Sequence, residues 1–315
     1  MKIVLLESLG IPESLLEELT APLKAAGHDF VAYERTTDET KLIEECRDAD
    51  VLMLANMPLP GSVINACKHL KYINIAFTGV DHVDMAAAKA KGLAVSNAAG
   101  YATQAVAELT IGQMISLLRN VNATENQCRR NGTKNGLVGN ELGGLTVGVI
   151  GTGAIGQRVA QLCGAFGCKV LGYAPRPKDT ARQWLTYVSL EELLRQSDIV
   201  TLHCPLTEET RGLIGAEELA MMKPGAYLIN MARGPVVDSE ALASALNNCK
   251  LAGAAIDVFE QEPPIPQQHP LLNARNCRVT PHIGFASQQS MALRAKIVFD
   301  ALQGWLEGRE VNRVL

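Results

Sequence analysis

The segment Gly151-Thr-Gly-Ala-Ile-Gly156 constrains this chain more than any other, because of what stands on either side of it. Before it, Leu145-Thr-Val-Gly-Val-Ile150 is a short apolar run of the kind that forms a buried parallel strand. After it, Val159, Ala160, Leu162 and Cys163 fall at helical spacing within Gln157–Phe166, and Gly167 is a helix stop. A second apolar run, Lys169-Val-Leu-Gly-Tyr-Ala174, follows at once. A GxGxxG occurs by chance in many glycine-rich loops; strand, glycine turn, helix and strand in this order predict a dinucleotide-binding unit. Gly151, Gly153 and Gly156 let the backbone turn and approach a pyrophosphate, whose charge meets the helix N-terminus at Ala154 and Ile155.

Strand and helix alternate along most of the rest. Strand-like runs at Ile3–Leu6, Phe30–Tyr33, Val51–Ala55, Tyr72–Phe77 and Leu93–Ser96 are each followed by helical or turn patterns. Pro12 stands at a first helical position, and Asp38 precedes the helix Glu39–Cys46. Such alternation implies a parallel sheet wound in βα units. A long helix, Gln104–Asn120, then bridges to a second series, and the polar segment Asn122–Asn140 leads into the glycine loop. Further strands are expected at 145–150, 169–174, 198–203, 226–231, 252–257 and 277–280. Ser189-Leu-Glu-Glu192 reads as a capping box, and Asp238 opens another helix. Ser287–Glu307 reads as a long helix that returns to the first domain. The division is therefore 1–99 with 286–315 as a substrate (catalytic) domain, and 100–285 as the nucleotide-binding domain.

The 315 residues suffice for two domains, and 47% apolar with 20% charged is an ordinary balance for an α/β protein. A net charge of −4 without a basic block excludes nucleic acid and anionic membranes as main partners. No apolar stretch is long enough to span a bilayer, and Glu7 interrupts the first apolar run too early for a signal peptide. A cytoplasmic protein is expected. The eight cysteines form no CxxC pair, so reduced thiols are expected and no metal, and Cys163 and Cys168 are spaced too loosely for a redox pair.

Three residues stand just beyond strand ends of the nucleotide domain: Arg233 in Asn230-Met-Ala-Arg-Gly234, Glu262 in Asp257-Val-Phe-Glu-Gln-Glu-Pro-Pro264, and His282 in Thr280-Pro-His-Ile-Gly284. Singly, each would be an ordinary loop charge. Together, at the strand ends where open parallel sheets bind ligands, they meet the demands of reducing a 2-oxo acid. Arg233 forks onto the carboxylate, and His282 donates a proton to the carbonyl oxygen. Glu262, hydrogen-bonded to the other ring nitrogen, fixes the tautomer and favours the protonated ring.

These residues resemble the D-isomer-specific 2-hydroxyacid dehydrogenases, glyoxylate and hydroxypyruvate reductases among them. The likeness runs through Thr78-Gly-Val-Asp-His-Val-Asp84, Asn97-Ala-Ala-Gly-Tyr101, Val106-Ala-Glu108, the glycine loop, His203-Cys-Pro-Leu-Thr207 and Met222-Lys-Pro-Gly225 to the Arg, Glu and His segments. It implies a Rossmann nucleotide-binding domain inserted in a flavodoxin-like substrate domain, and a homodimer. It further implies that the backbone at Gly79 and Val80 holds the substrate carboxylate and that Asp257 binds the nicotinamide carboxamide. Ala154 and Ile155 would lie on the pyrophosphate, and Met231, Ala232 and Arg233 near the nicotinamide ribose. Thr103, His203, Pro205, Thr210 and Gly284 would lie close to the cofactor.

One position departs from the pattern. NAD-using members resemble one another in an Asp about twenty residues past the glycines, which accepts from the ribose hydroxyls. This chain has Ala174 there, followed by Pro175-Arg176-Pro177-Lys178. Without the carboxylate nothing repels a 2′-phosphate, and Arg176 can pair with it, so NADP(H) is favoured over NAD(H). On the substrate side, Ala55-Asn-Met-Pro-Leu59 carries no Arg or Lys, which predicts an unphosphorylated substrate. Asn56 is placed to read a hydroxyl or to cap a turn, and Met57, Leu59 and Tyr101 are expected to line a small, partly apolar pocket. The alternative reading is a nucleotide-sensing, corepressor-like interaction protein of the same fold.

Overall fold

The computed structural model describes residues 1–261 and 264–315. They form two compact units, Met1–Ala102 with Ala286–Leu315, and Thr103–Phe285.

In the first unit, β1 (Lys2–Leu5), α1 (Glu13–Ala25), β2 (Asp29–Ala32), α2 (Glu39–Cys46), β3 (Val51–Leu54), α3 (Gly61–Ala66), β4 (Tyr72–Ile75), α4 (Met85–Ala90) and β5 (Ala94–Asn97) follow one another. The sheet is parallel with order β2-β1-β3-β4-β5. Its interior strands β3 and β4 are buried at every residue, whereas the edge strand β2 is partly exposed. The runs of Val, Leu, Ile and Met are explained by helices covering both faces. Pro12 proves to be the N-cap of α1 rather than its first residue. Asp38 caps α2 by accepting from the Thr40 and Lys41 amides. On the free edge of β5, the Val314 amide donates to the Val95 carbonyl at 2.8 Å and the Asn97 amide to the Asn312 carbonyl at 3.1 Å, so that edge is covered.

The second unit opens with α5 (Thr103–Leu118), which stops where Asn120 turns left-handed at φ 52°. Next comes α6 (Val121–Arg129), where the sequence indicated only a polar connection. None of its residues is buried, so no apolar stripe announces it. β6 (Thr146–Ile150), α7 (Ala154–Ala165), β7 (Lys169–Tyr173), β8 (Thr186–Tyr187), α8 (Leu190–Gln196), β9 (Ile199–Leu202), α9 (Ala216–Met221), β10 (Ala226–Asn230), α10 (Ser239–Asn247), β11 (Leu251–Ile256) and β12 (Cys277–Val279) complete it. The sheet order is β12-β11-β10-β9-β6-β7-β8, all parallel. β8, only two residues long, lies below what alternation can reveal. The Ser189 hydroxyl caps α8 from the Glu192 amide, but the Glu192 carboxylate turns instead to Gln196, so only half of the expected box forms. Finally α11 (Gln288–Leu306), capped by Ser287, belongs to the first unit. No described helix is long and apolar enough to cross a membrane.

Candidate active site

Ile150 of β6 and Leu202 of β9 are register partners, and the chain leaves β6 toward β7 and β8 on one side before reaching β9 on the other. Ligands of open α/β sheets bind at such a switch point. Gly151–Gly156 follows one of these strands and His203 the other. The three glycines answer three demands. Gly151 has φ +89°, and a Cβ there would stand 2.4 Å from the Cys204 amide nitrogen. Gly156 packs α7 onto the turn so closely that a Cβ would lie 2.0 Å from the Gly151 carbonyl oxygen. Gly153 is the N-cap of α7, and a Cβ there would meet nothing within 4 Å. That space adjoins the first-turn amides of Ala154 and Ile155, which have no acceptor within the helix. An open approach to a helix N-terminus fits a dinucleotide pyrophosphate.

The loops around this cradle carry further chemistry. Ala174 is half-buried just past β7, and Arg176 and Lys178 are exposed. Tyr187 of β8, which sequence reasoning missed, shares a 2.7 Å hydrogen bond with the Thr152 hydroxyl and accepts from the Lys178 amide at 3.0 Å. It ties the glycine loop to the loop after β7. The aromatic and β-branched run Thr186-Tyr-Val188 ahead of Ser189 was its one sequence signal. The Glu209 carboxyl is held below its usual range, mainly by the Thr207 hydroxyl, with Arg176 adding a smaller pull. Pro205 is exposed, and Thr210 braces its own loop by donating to the Pro205 carbonyl at 2.7 Å and accepting from the Thr207 amide at 2.8 Å.

His203 sits between β9 and that loop. Its Nε2 is 2.9 Å from the Thr201 hydroxyl, and its buried Nδ1 has no hydrogen-bond partner among the described residues. Burial pushes its pKa down to about 3. The imidazole is therefore neutral in the folded protein, whereas in the unfolded chain it takes a proton below about pH 6.5. Stability is thus lost as pH falls through the window between these values. At pH 4 the loss reaches roughly 3 kcal/mol. Urea unfolding at pH 7 and pH 4 should show His203→Asn losing less stability than the wild type over that interval; equal losses would refute this account.

The candidate reacting groups lie beyond three neighbouring strands. Asn230, Ile256 and Val279, at the ends of β10, β11 and β12, are matched in register. Arg233, Asp257 and His282 follow them. The Asn230 amide clamps the first turn: its Oδ1 accepts from the Ala232 amide at 3.0 Å and its Nδ2 donates to the Arg233 carbonyl at 2.9 Å. Gly234 presses that turn onto the next loop, for a Cβ there would lie 2.0 Å from the Phe259 carbonyl carbon. Met231 and Ala232 are buried and Arg233 is half-buried. Asp257 is 2% exposed. Its carboxylate accepts from the Thr280 hydroxyl, the Ile283 amide at 2.9 Å and the Gly284 amide at 2.7 Å. Burial pushes its pKa up, and these bonds pull it back. Its backbone carbonyl accepts from the His282 amide at 2.8 Å.

His282 adopts φ 53°, a left-handed conformation costly for a residue with a Cβ. The Asp257 contacts on both sides hold it there, and Phe285 meets its ring edge-on at 5.3 Å between centroids. Gly284 closes the group: a Cβ there would be 2.9 Å from Asp257 Oδ2 and 3.1 Å from the Met231 methyl. Thr103 is the half-buried first residue of α5. Glu262 lies outside the described residues.

In the first unit, Gly79 and Val80 are half-buried in the loop after β4, and Asn97 Nδ2 donates to the adjoining Thr78 carbonyl at 2.7 Å. Around Asn56 the structure adds a cation that the local sequence does not show. No cation stands within residues 55–59, but Arg35 donates to Asn56 Oδ1 at 2.8 Å. The guanidinium is also 2.9 Å from the Glu7 carboxylate, whose other oxygen accepts from the Ala55 and Met57 amides. Met57 and Leu59 are fully buried and Tyr101 nearly so, so they are core rather than an accessible pocket wall. No group of three or more potential metal ligands occurs among the described residues.

A parallel sheet with an open glycine turn at its switch point and an Arg, an Asp and a His past adjacent strand ends is the arrangement a nucleotide-dependent oxidoreductase requires. Comparison with known proteins narrows the class. Residues 111–284 match the model of the D-isomer specific 2-hydroxyacid dehydrogenase NAD binding domain. The chain is 35% identical to a hydroxypyruvate reductase of Blautia hydrogenotrophica over 100% of its own length and 99% of that protein. It is 38% identical to a D-3-phosphoglycerate dehydrogenase of Methanocaldococcus jannaschii over 97% of its length, although it spans only 58% of that longer protein. Its structure is similar to that of an acyclic imino acid reductase in complex with NADPH and D-Arg, with a TM-score of 0.91 and 26% identity over the whole of both chains. The chain belongs to the D-isomer specific 2-hydroxyacid dehydrogenase family. It is an enzyme with a nicotinamide-nucleotide-binding domain, and the sensor reading is not favoured.

Proposed function

We propose that this protein reduces a small, unphosphorylated 2-oxo acid, of the glyoxylate or hydroxypyruvate type, to the D-2-hydroxy acid. The observation that carries the reading is the run of Arg233, Asp257 and His282 past three register-matched strand ends, on the sheet whose switch point holds the pyrophosphate cradle. A nicotinamide nucleotide bound there supplies the hydride. Arg233 holds the substrate carboxylate and polarises the carbonyl, its fork geometry fixing which face of the carbon is presented. His282 delivers a proton to the carbonyl oxygen as negative charge develops on it. Asp257 Oδ2, bonded to the Gly284 amide, keeps a second lone-pair direction for the nicotinamide carboxamide. Glu262 is proposed to orient the His282 ring. The family resemblance also supports a cytoplasmic homodimer.

The nucleotide is proposed to be NADPH. Ala174 presents no carboxylate to repel a 2′-phosphate, and exposed Arg176 two residues on can pair with one. Arg35 makes a phosphorylated 2-oxo acid a necessary member of any substrate panel, yet Glu7 at 2.9 Å counters its charge and supports the unphosphorylated reading. The test is steady-state kinetics with glyoxylate, hydroxypyruvate, branched and phosphorylated 2-oxo acids against both nucleotides. A kcat/KM for NADPH above that for NADH is expected, and Arg176→Ala should lower only the NADPH value, by about tenfold. A tenfold advantage for NADH overturns the nucleotide preference, and turnover confined to the phosphorylated acid overturns the substrate class.

A further inference from the structure

The end of α7 holds a feature that the reaction does not use. Its termination is of the Schellman type: Gly167, with φ +83°, donates its amide to the Gly164 carbonyl at 2.9 Å, and the Cys168 amide donates to the Cys163 carbonyl at 3.0 Å. In this motif the side chains three residues inside the helix end and two beyond it usually make an apolar contact. Here both are cysteines. The 3.0 Å bond and standard backbone dimensions limit the separation of the two α-carbons to about 7 Å, the outer limit for a disulfide. The spacing looked too loose for a redox pair in the linear sequence; the left-handed turn at Gly167 folds it back.

We propose that Cys163 and Cys168 form a reversible dithiol–disulfide site, oxidised by hydroperoxides. The proposal does not depend on the dehydrogenase reading. The two thiols differ as an attacking and a resolving cysteine must. Cys168 is partly exposed, and Cys163 is fully buried behind it. The Cys168 thiol donates to the Leu142 carbonyl at 3.3 Å. Interaction with the neighbouring Cys163 thiol draws the Cys168 pKa down, while the same interaction and burial push Cys163 up. The Cys168 thiolate attacks a peroxide oxygen, breaking the O–O bond to give a sulfenic acid and releasing hydroxide. The Cys163 sulfur then attacks the sulfenic sulfur. Its proton and the sulfenic hydroxyl leave as water, so two thiols and one H2O2 become one disulfide and two waters. The carbonyl end of the helix dipole opposes the thiolate, so the reaction is slower than at cysteines on helix N-termini.

A second pair, Cys46 and Cys67, also interacts, but both residues are 0% exposed and oxidant does not reach them. Cys128 and Cys249 are exposed and serve as markers of unspecific oxidation.

Trypsin places both cysteines of interest in one peptide, Val159–Lys169. The full-length protein is treated with excess H2O2, denatured in N-ethylmaleimide, digested and weighed. The expected peptide lacks both maleimide adducts and two hydrogens, and dithiothreitol before alkylation restores both adducts. In Cys163→Ala the oxidised Cys168 should instead be trapped by dimedone as a sulfenic acid. The proposal is overturned if the peptide keeps both adducts at a dose that oxidises Cys128 and Cys249. It is equally overturned if Cys168 passes to sulfinic acid, or cross-links two chains, while Cys163 stays alkylatable.

Discussion

His282→Ala is expected to lower kcat by about 10³-fold with the best 2-oxo acid, while the Kd for the nucleotide stays as in the wild type. Among the described residues at the three strand ends, the imidazole is the group suited to deliver a proton, since a guanidinium is too weak an acid and Asp257 accepts hydrogen bonds on both carboxylate oxygens. Its backbone is held left-handed by Asp257, so Ala leaves the turn in place and removes only the ring. Arg233→Ala should behave differently, raising KM as well as lowering kcat, because the guanidinium contacts the substrate before and during the reaction. Stopped-flow turnover beside fluorescence titration of the nucleotide separates these outcomes. If His282→Ala retains most of its kcat/KM, the proton donor lies elsewhere.

The second large effect distinguishes the glycines of the loop. In Gly156→Ala the new methyl would stand 2.0 Å from the Gly151 carbonyl oxygen and 3.2 Å from the Val149 side chain. Neither backbone can yield without lifting α7 off β6, at a cost of about 3 kcal/mol or more. A unit of this size should lose roughly 6–12 °C in Tm. Gly153→Ala meets nothing within 4 Å and has an ordinary φ of −71°, so its Tm without nucleotide should match the wild type. The methyl would nevertheless stand in the path to the α7 amides, and nucleotide Kd should rise at least about tenfold. Calorimetry with and without nucleotide checks both. Unchanged affinity in Gly153→Ala would show that the pyrophosphate does not use this cradle.

Much of the fold was legible because its determinants are local. Alternating apolar runs and helical spacing marked eleven of the strands, often ending a residue or two beyond where the ladder ends, as at Tyr72–Ile75. The residue types at strand ends also drew attention to Arg233, Glu262 and His282 before any coordinates, and the family resemblance drew attention to Asp257; Glu262 lies outside the described residues. Two elements escaped. The two-residue strand β8 is too short to show a period, and α6 has no buried residue to create a stripe. With β8 went Tyr187 and its grip on Thr152 and Lys178.

The sequence by itself determined the α/β class, the family resemblance and the place of the glycine turn between β6 and α7. Hydrophobic period and glycine's conformational freedom are properties of a few neighbouring residues. Only the tertiary structure decided that Arg35 reaches Asn56, that burial pushes the His203 pKa down, and that the Cys168 amide folds back onto the Cys163 carbonyl. Desolvation and through-space contact depend on which distant segments the fold packs together or turns back on themselves, and no local pattern encodes that.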